Sequence, residues 1–230
     1  MLALLKVSVI IPVLNEASGI AATLAPLQDA RTKGHEVILV DGGSTDGTPE
    51  QARSLADLVI SSPAGRACQM NTGARAASGE VLWFLHADTL APFDAIEDIN
   101  AALTDGRHCW GRFDVQLSGS SRAFRIIEKA MNLRSALTRI ATGDQGIFVT
   151  RKAFDTVSGF EEIPLMEDIA LSKGLRDLSA PACLGTRLVT SSRRWEKNGI
   201  VRTVLLMWRL RLAYFLGASP ETLAERYRRG

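Results

Sequence analysis

Cysteine is scarce in this chain. Cys68, Cys109 and Cys183 are the only three in 230 residues, an odd number and far apart. No pair has the spacing of a metal-ligand set or a redox motif, so a disulfide framework is excluded and a reducing, cytoplasmic setting is expected. Long apolar runs are missing too. No window approaches the roughly 18 apolar residues of a membrane span. The stretch from Met1 to Lys6 has neither a basic start nor a small-residue cleavage site, so it does not read as a signal peptide. Charge of one sign is not in excess. A net charge of +2 gives no bulk attraction to nucleic acid. Repeats, low-complexity tracts and linkers are absent as well. One domain over residues 1–230 is expected, with a helical C-terminal extension from about residue 200.

What is present is a globular composition, 46% apolar and 23% charged. Val7 to Ile11 is a β-branched run that stops at Pro12, as a buried parallel strand would. Residues 17–31 have helical spacing at Ile20, Leu24 and Leu27, with Pro26 expected to kink or split the helix. Further strands are expected over residues 36–40, 58–61 and 81–85, with a helix over 66–77. This alternation predicts an α/β fold with a mostly parallel central sheet flanked by helices. The second half is mixed. Strands are expected over residues 110–117 and 146–150. A long amphipathic helix is expected over 122–140, with Ile126, Ala130, Leu133 and Leu137 on one face. Helical segments follow near 152–157 and 169–176, then two helices within 200–228, parted near Gly217–Pro220.

Ligands of open parallel sheets bind beyond the carboxyl ends of the strands. Three predicted strands end in polar groups there: Asn15-Glu16, Asp41 and Asp88. Asp41 opens the segment Asp-Gly-Gly-Ser-Thr-Asp-Gly-Thr (41–48), whose glycines permit close backbone approach. A capped strand-to-helix turn explains most of that segment but leaves Asp41 itself unexplained. An acid there can accept hydrogen bonds from a nucleobase or ribose. The segment is neither a Walker loop nor a dinucleotide fingerprint.

Ile-Ile-Pro-Val-Leu-Asn-Glu (10–16) followed by Val-Asp-Gly-Gly-Ser-Thr-Asp-Gly-Thr (40–48) resembles the opening of glycosyltransferase family 2. The resemblance runs from residue 7 to about residue 200, with several motifs in order. It implies a GT-A nucleotide-diphospho-sugar transferase fold, inverting chemistry and Mg²⁺ or Mn²⁺. Within the family, the chain is most similar to the bacterial branch of rSAM/selenodomain-associated transferase 2, also tied to arsenosugar biosynthesis.

Carried over residue by residue, the resemblance puts Pro12, Asn15, Glu16, Asp41, Arg66, Asn71 and Asp88 on the nucleotide and donor side. His86-Ala87-Asp88 occupies the place of the Asp-x-Asp metal motif. Asp88 is the metal candidate, since one carboxylate with water and diphosphate oxygens can hold Mg²⁺. His86 departs from the motif; as a direct ligand it suits Mn²⁺ better. Gly143-Asp144-Gln145-Gly146 falls at a glycine-rich turn near the acceptor, where Asp144 and Gln145 are candidates. A plain turn explains Asp144 equally well. Met166-Glu167-Asp168-Ile169 matches the Glu-Asp motif and places the catalytic base on Asp168 with Glu167 beside it; acids that merely favour a helix N-terminus are the alternative. Ser191-Ser192-Arg193-Arg194-Trp195 resembles the Gln-x-x-Arg-Trp motif of processive members, with Ser191 in place of the glutamine. A processive synthase is therefore not expected. Arg194 or its neighbour Arg193 can meet the departing diphosphate, and Trp195 sits on the acceptor side.

The expected activity is metal-assisted transfer of a sugar from a nucleotide-sugar donor, UDP-linked rather than GDP-linked, to a hydroxyl acceptor. A sugar nucleotidyltransferase and a non-catalytic nucleotide-sugar-binding module are the alternatives. The first lacks a basic N-terminal phosphate loop, and the second would not need both Asp88 and Asp168. Residues 200–216 carry an apolar stripe at Val201, Leu205, Trp208, Leu212 and Phe215. Burial within the chain or in a homodimer is expected first, and peripheral contact with the inner face of an anionic membrane second.

Overall fold

A computed structural model describes residues 4–229, without the side chain of residue 229. The chain forms β1 (Val7–Val13), α1 (Ile20–Leu24), α2 (Gln28–Thr32), β2 (Glu36–Asp41), α3 (Thr48–Ala52), β3 (Leu58–Ser61) and α4 (Arg66–Ala76). Next come β4 (Val81–Phe84), β5 (Thr89–Leu90), α5 (Ala95–Leu103), β6 (Trp110–Leu117), α6 (Arg122–Thr138) and β7 (Phe148–Thr150). The rest is α7 (Arg151–Thr156), α8 (Glu167–Leu178), β8 (Ala182–Thr190), α9 (Arg193–Asn198), α10 (Ile200–Phe215) and α11 (Pro220–Arg229).

The eight strands make one sheet in the order β3-β2-β1-β4-β7-β6-β8-β5. The first four are mutually parallel, as their largely apolar runs predict. β7 is antiparallel to β4 and to β6, whereas β6 and β8 run parallel. Two apolar clusters cover the two faces of the parallel half. One is built on Val9, Ile11, Leu39 and Trp83, the other on Ile10, Ile38, Val40 and Leu82.

β1 does not stop at Pro12 but runs through it to Val13. Its pairing with β4 ends at Ile10, so the missing N–H of Pro12 removes no bond on that side. Pro26 splits its helix as expected, into α1, a 3₁₀ turn over Ala25–Leu27, and α2.

The expected inward face of α6 is overturned. Ile126, Leu133 and Leu137 point to solvent, Ile126 at 71% exposure. The buried side of α6 is largely polar because β6 lacks a strand partner along that edge. Asn132 supplies one: its Oδ1 accepts the Val115 N–H at 2.9 Å and its Nδ2 donates to the Val115 carbonyl at 3.1 Å. Glu128 Oε1 accepts the Leu117 N–H at 2.7 Å. Satisfying buried backbone groups outweighs apolar periodicity here.

Candidate active site

Two acids at strand ends lie on either side of a parallel β1. β2 delivers Asp41, which is buried. Its carboxylate accepts the backbone N–H groups of Gly43 and Ser44, each at 3.1 Å. A turn-holding role therefore explains Asp41 after all, while lone-pair directions remain for a ligand. Buried Gln69 joins the ends of β1 and β2, donating to the Val13 and Val40 carbonyls at 2.8 Å. Sequence reasoning missed it. Its signal was only a polar residue on the inner face of a small-residue helix.

The loop after β1 is stitched to the segment 44–48. Asn15, in a left-handed conformation at φ +56°, accepts the Thr45 N–H on Oδ1 at 2.9 Å, and Asp46 accepts the Ala17 N–H at 3.0 Å. The Glu16 N–H joins this stitch, donating to Thr48 Oγ1 at 2.9 Å, while its carboxylate pairs with Arg193 at 3.4 Å. Pro12, Glu16, Arg66, Gln69, His86 and Asp88 line one cleft of about 330 Å³.

β5 pairs with β8 through Thr89 and Thr190, and this bridge sets Ser191 to Arg194 beside Asp88. β8 was not read from the sequence, because Gly185, Thr186 and Arg187 break its apolar alternation. A second cleft of about 220 Å³ opens here. Arg66, His86 and Asp88 line it together with Asp144, Glu167, Asp168, Arg194 and Trp195, and Met207, Leu210 and Arg211 of α10 form another side. His86 and Asp88 belong to both clefts, so the two are continuous at the end of β4.

The charges here are strongly perturbed. Burial, with Arg66 nearby, pushes the His86 imidazole down to about 3, so it is neutral. Burial raises Asp88 against the opposing pull of Arg66 and Arg193. Burial and then the Asp168 charge raise Glu167. Burial also raises Asp168, but two backbone N–H groups hold its charged form: Gly143 at 2.9 Å on Oδ2 and Ile169 at 2.7 Å on Oδ1. The two carboxyls titrate as a pair, both raised by burial. Met166, at φ +74°, turns the chain so that Glu167 and Asp168 open α8.

Polar atoms around the second cleft lack partners among the described residues: Asp144 Oδ1, Arg194 Nε, and Nε and Nη2 of Arg134. Arg194 stacks on the Tyr227 ring at 3.7 Å. Buried polar groups are rarely left unpaired, so these atoms are candidates to meet a polar ligand.

The family model described as "Glycosyl transferase family 2" matches residues 8–156. The chain belongs to that family. Glycosyltransferase AglE of Haloferax volcanii is 41% identical over 91 residues, a stretch covering 36% of this chain and 30% of that protein. The mannosyltransferase PcManGT from Pyrobaculum calidifontis, solved with GDP-Man and Mn²⁺, superposes with a TM-score of 0.65 at 24% identity, over 98% of this chain and 69% of that one. S. aureus TarS with UDP-GlcNAc gives a TM-score of 0.65 at 20% identity, over 81% of this chain and 58% of that one. The GT-A fold follows.

Against this family member, several expected site residues stand elsewhere. Asn71 is away from both clefts; its amide donates to the Phe160 carbonyl at 2.8 Å and accepts the Phe160 N–H at 3.0 Å. Gln145 is fully buried, and its Oε1 accepts the Thr142 N–H at 3.2 Å to cap the 3₁₀ turn Gly143–Gln145. The Gln145 Nε2 donates to Asn132 Oδ1 at 3.4 Å, so both amides are engaged within the fold. Among the described residues no group of three or more His, Cys, Asp or Glu forms a metal site. The donor set present, the Asp88 carboxylate with the orphaned Asp144 Oδ1 and a neutral His86 nearby, fits an ion that draws most ligands from diphosphate and water.

Proposed function

We propose that the chain is an inverting glycosyltransferase that transfers a sugar from a nucleotide-diphospho-sugar to a hydroxyl acceptor. The observation that carries this reading is the double cleft at the end of β4, where Arg66 and Asp88 meet the Glu167–Asp168 pair. Asp41 and Glu16 take the nucleoside side, and Arg66, Arg193 and Arg194 the diphosphate. Mg²⁺ or Mn²⁺ on Asp88, with His86 as a further contact for Mn²⁺, would neutralise charge developing on the leaving diphosphate. Asp168 removes the acceptor hydroxyl proton as the oxygen attacks the anomeric carbon and the nucleoside diphosphate departs. Glu167, Asp144 and Trp195 flank the acceptor. A uridine nucleotide is the first donor to test, although solved structures of this fold hold both UDP-GlcNAc and GDP-Man. Such donors and three free thiols fit a cytoplasmic reaction. Membership of the rSAM-associated branch rests on motif resemblance alone.

Donor turnover with Mn²⁺ tests the reading. Release of nucleoside diphosphate supports it. Release of pyrophosphate would instead indicate nucleotidyl transfer, and no turnover of any UDP- or GDP-sugar would remove the proposal.

A further inference from the structure

The outer face of α10 is apolar and has no cover within the chain. Val201, Leu205, Trp208, Leu212 and Phe215 are all exposed, and Trp208 stands at 69%. The expectation that this stripe is buried within the chain is not met. Burial falls to the opposite side, where Leu210 packs with Ile140, Met166, Ile169 and Leu223. Ile140 lies two residues beyond α6, whose own Ile126, Leu133 and Leu137 are also exposed. Two helices thus both turn large apolar side chains outward, beyond the scatter of single exposed residues on a soluble protein.

Charge decides what covers this face. Residues 122–139 and 193–216 hold eleven Lys and Arg against two Glu. Arg193, Arg194 and Arg211 among them serve the clefts, and Arg202 and Arg209 are the ones that border the stripe. From Lys197 to Pro220 there is no Asp or Glu. Arg202 and Arg209 are exposed and lie about 80–100° from the stripe on the helical wheel, flanking it along one side. A second copy docked through this face would set those cations against their own kind, with no carboxylate on the face to receive them. An anionic surface suits them. Exposed Trp and Leu with flanking Arg are the features of a helix lying in a lipid interface. No helix among the described residues is long and apolar enough to cross a membrane, so α10 would lie on one.

We propose that α10 is a membrane-docking helix that binds the surface of an anionic phospholipid bilayer through Leu205, Trp208 and Leu212, with Arg202 and Arg209 on the headgroups. Its inner face, at Thr203, Met207, Leu210 and Arg211, lines the catalytic cleft. Docking therefore holds that cleft within about one helix diameter, roughly 10 Å, of the lipid.

Sedimentation of the full chain with extruded vesicles tests this independently of any sugar chemistry. Vesicles of phosphatidylcholine with 30% phosphatidylglycerol should bind the protein, with binding weakened by salt and a blue shift of Trp208 emission. Pure phosphatidylcholine should bind far less. Arg202→Gln with Arg209→Gln should weaken binding about 30-fold, about fivefold per basic residue lost. Leu205→Ser with Trp208→Ser and Leu212→Ser should abolish it. The Arg variant, at exposed positions, keeps the test valid if the triple variant fails to fold. Wild-type protein that stays in the supernatant of anionic vesicles overturns the proposal. So does a dimer by light scattering that the triple variant converts to a monomer while vesicle binding is absent.

Discussion

Asp168 Oδ2 accepts the Gly143 backbone N–H at 2.9 Å, tying the first turn of α8 to the turn that carries Asp144. His86 sits against the same glycine: a Cβ built at 143 would lie 2.4 Å from His86 Nε2. One residue thus spaces the end of β4 from the acidic pair. Gly143→Ala should push the imidazole and the turn apart with the fold kept, as read by circular dichroism. Misplacement of this kind can lower turnover by about 10²-fold. Unchanged turnover would show that the spacing has no role in the chemistry.

Asp41 and Asp88 should separate by calorimetry. Asp41→Ala should weaken nucleoside diphosphate binding equally with and without metal, and also loosen the 42–44 turn. Asp88→Ala should retain metal-free binding and lose the extra affinity that Mn²⁺ confers. An undiminished metal increment in Asp88→Ala would move the ion elsewhere.

Glu167 makes a pH prediction with a definite sign. Its carboxyl is raised by burial and by Asp168, so the folded state binds its proton more tightly than the unfolded state does. Stability therefore falls as pH rises from the ordinary carboxylate range through the raised value. Glu167→Gln should melt higher than wild type at about pH 8 and close to it at about pH 4. Equal melting temperatures at both would mean that the pair is not strained.

Glu36 predicts the opposite slope. Burial alone would raise it, but hydrogen bonds from Ser78 and Ser8, with Lys6 nearby, hold it below the usual range. Its contribution is present above the unfolded value and lost as pH falls through the folded one. Glu36→Gln should cost about 1–3 kcal/mol at neutral pH and little in acid, read by urea denaturation at each pH.

The parallel half of the sheet was legible because β1, β2 and β4 are buried on both faces and their ligand-facing ends follow directly from that. Asp88 was expected on the same logic, whereas Glu167 and Asp168 were expected only from the family's Glu-Asp motif. Three features were hidden for physical reasons. β8 carries Gly185 and Arg187 and reads as loop, yet it positions Arg193 and Arg194. Asn71 and Gln145 read as ligand contacts because the sequence does not show that Phe160 and Thr142 require their amides. The orientation of α6 depends on a missing strand partner for β6, which no periodicity reports.

The base assignment is the centre of this account, and Asp168→Asn tests it most directly. The substitution keeps shape and removes basicity. Measured as nucleoside diphosphate release beside donor affinity, it should lower turnover by about 10²–10⁴-fold with donor affinity nearly unchanged. Near-normal turnover in Asp168→Asn together with loss of turnover in Asp144→Asn would contradict it and give the base to Asp144.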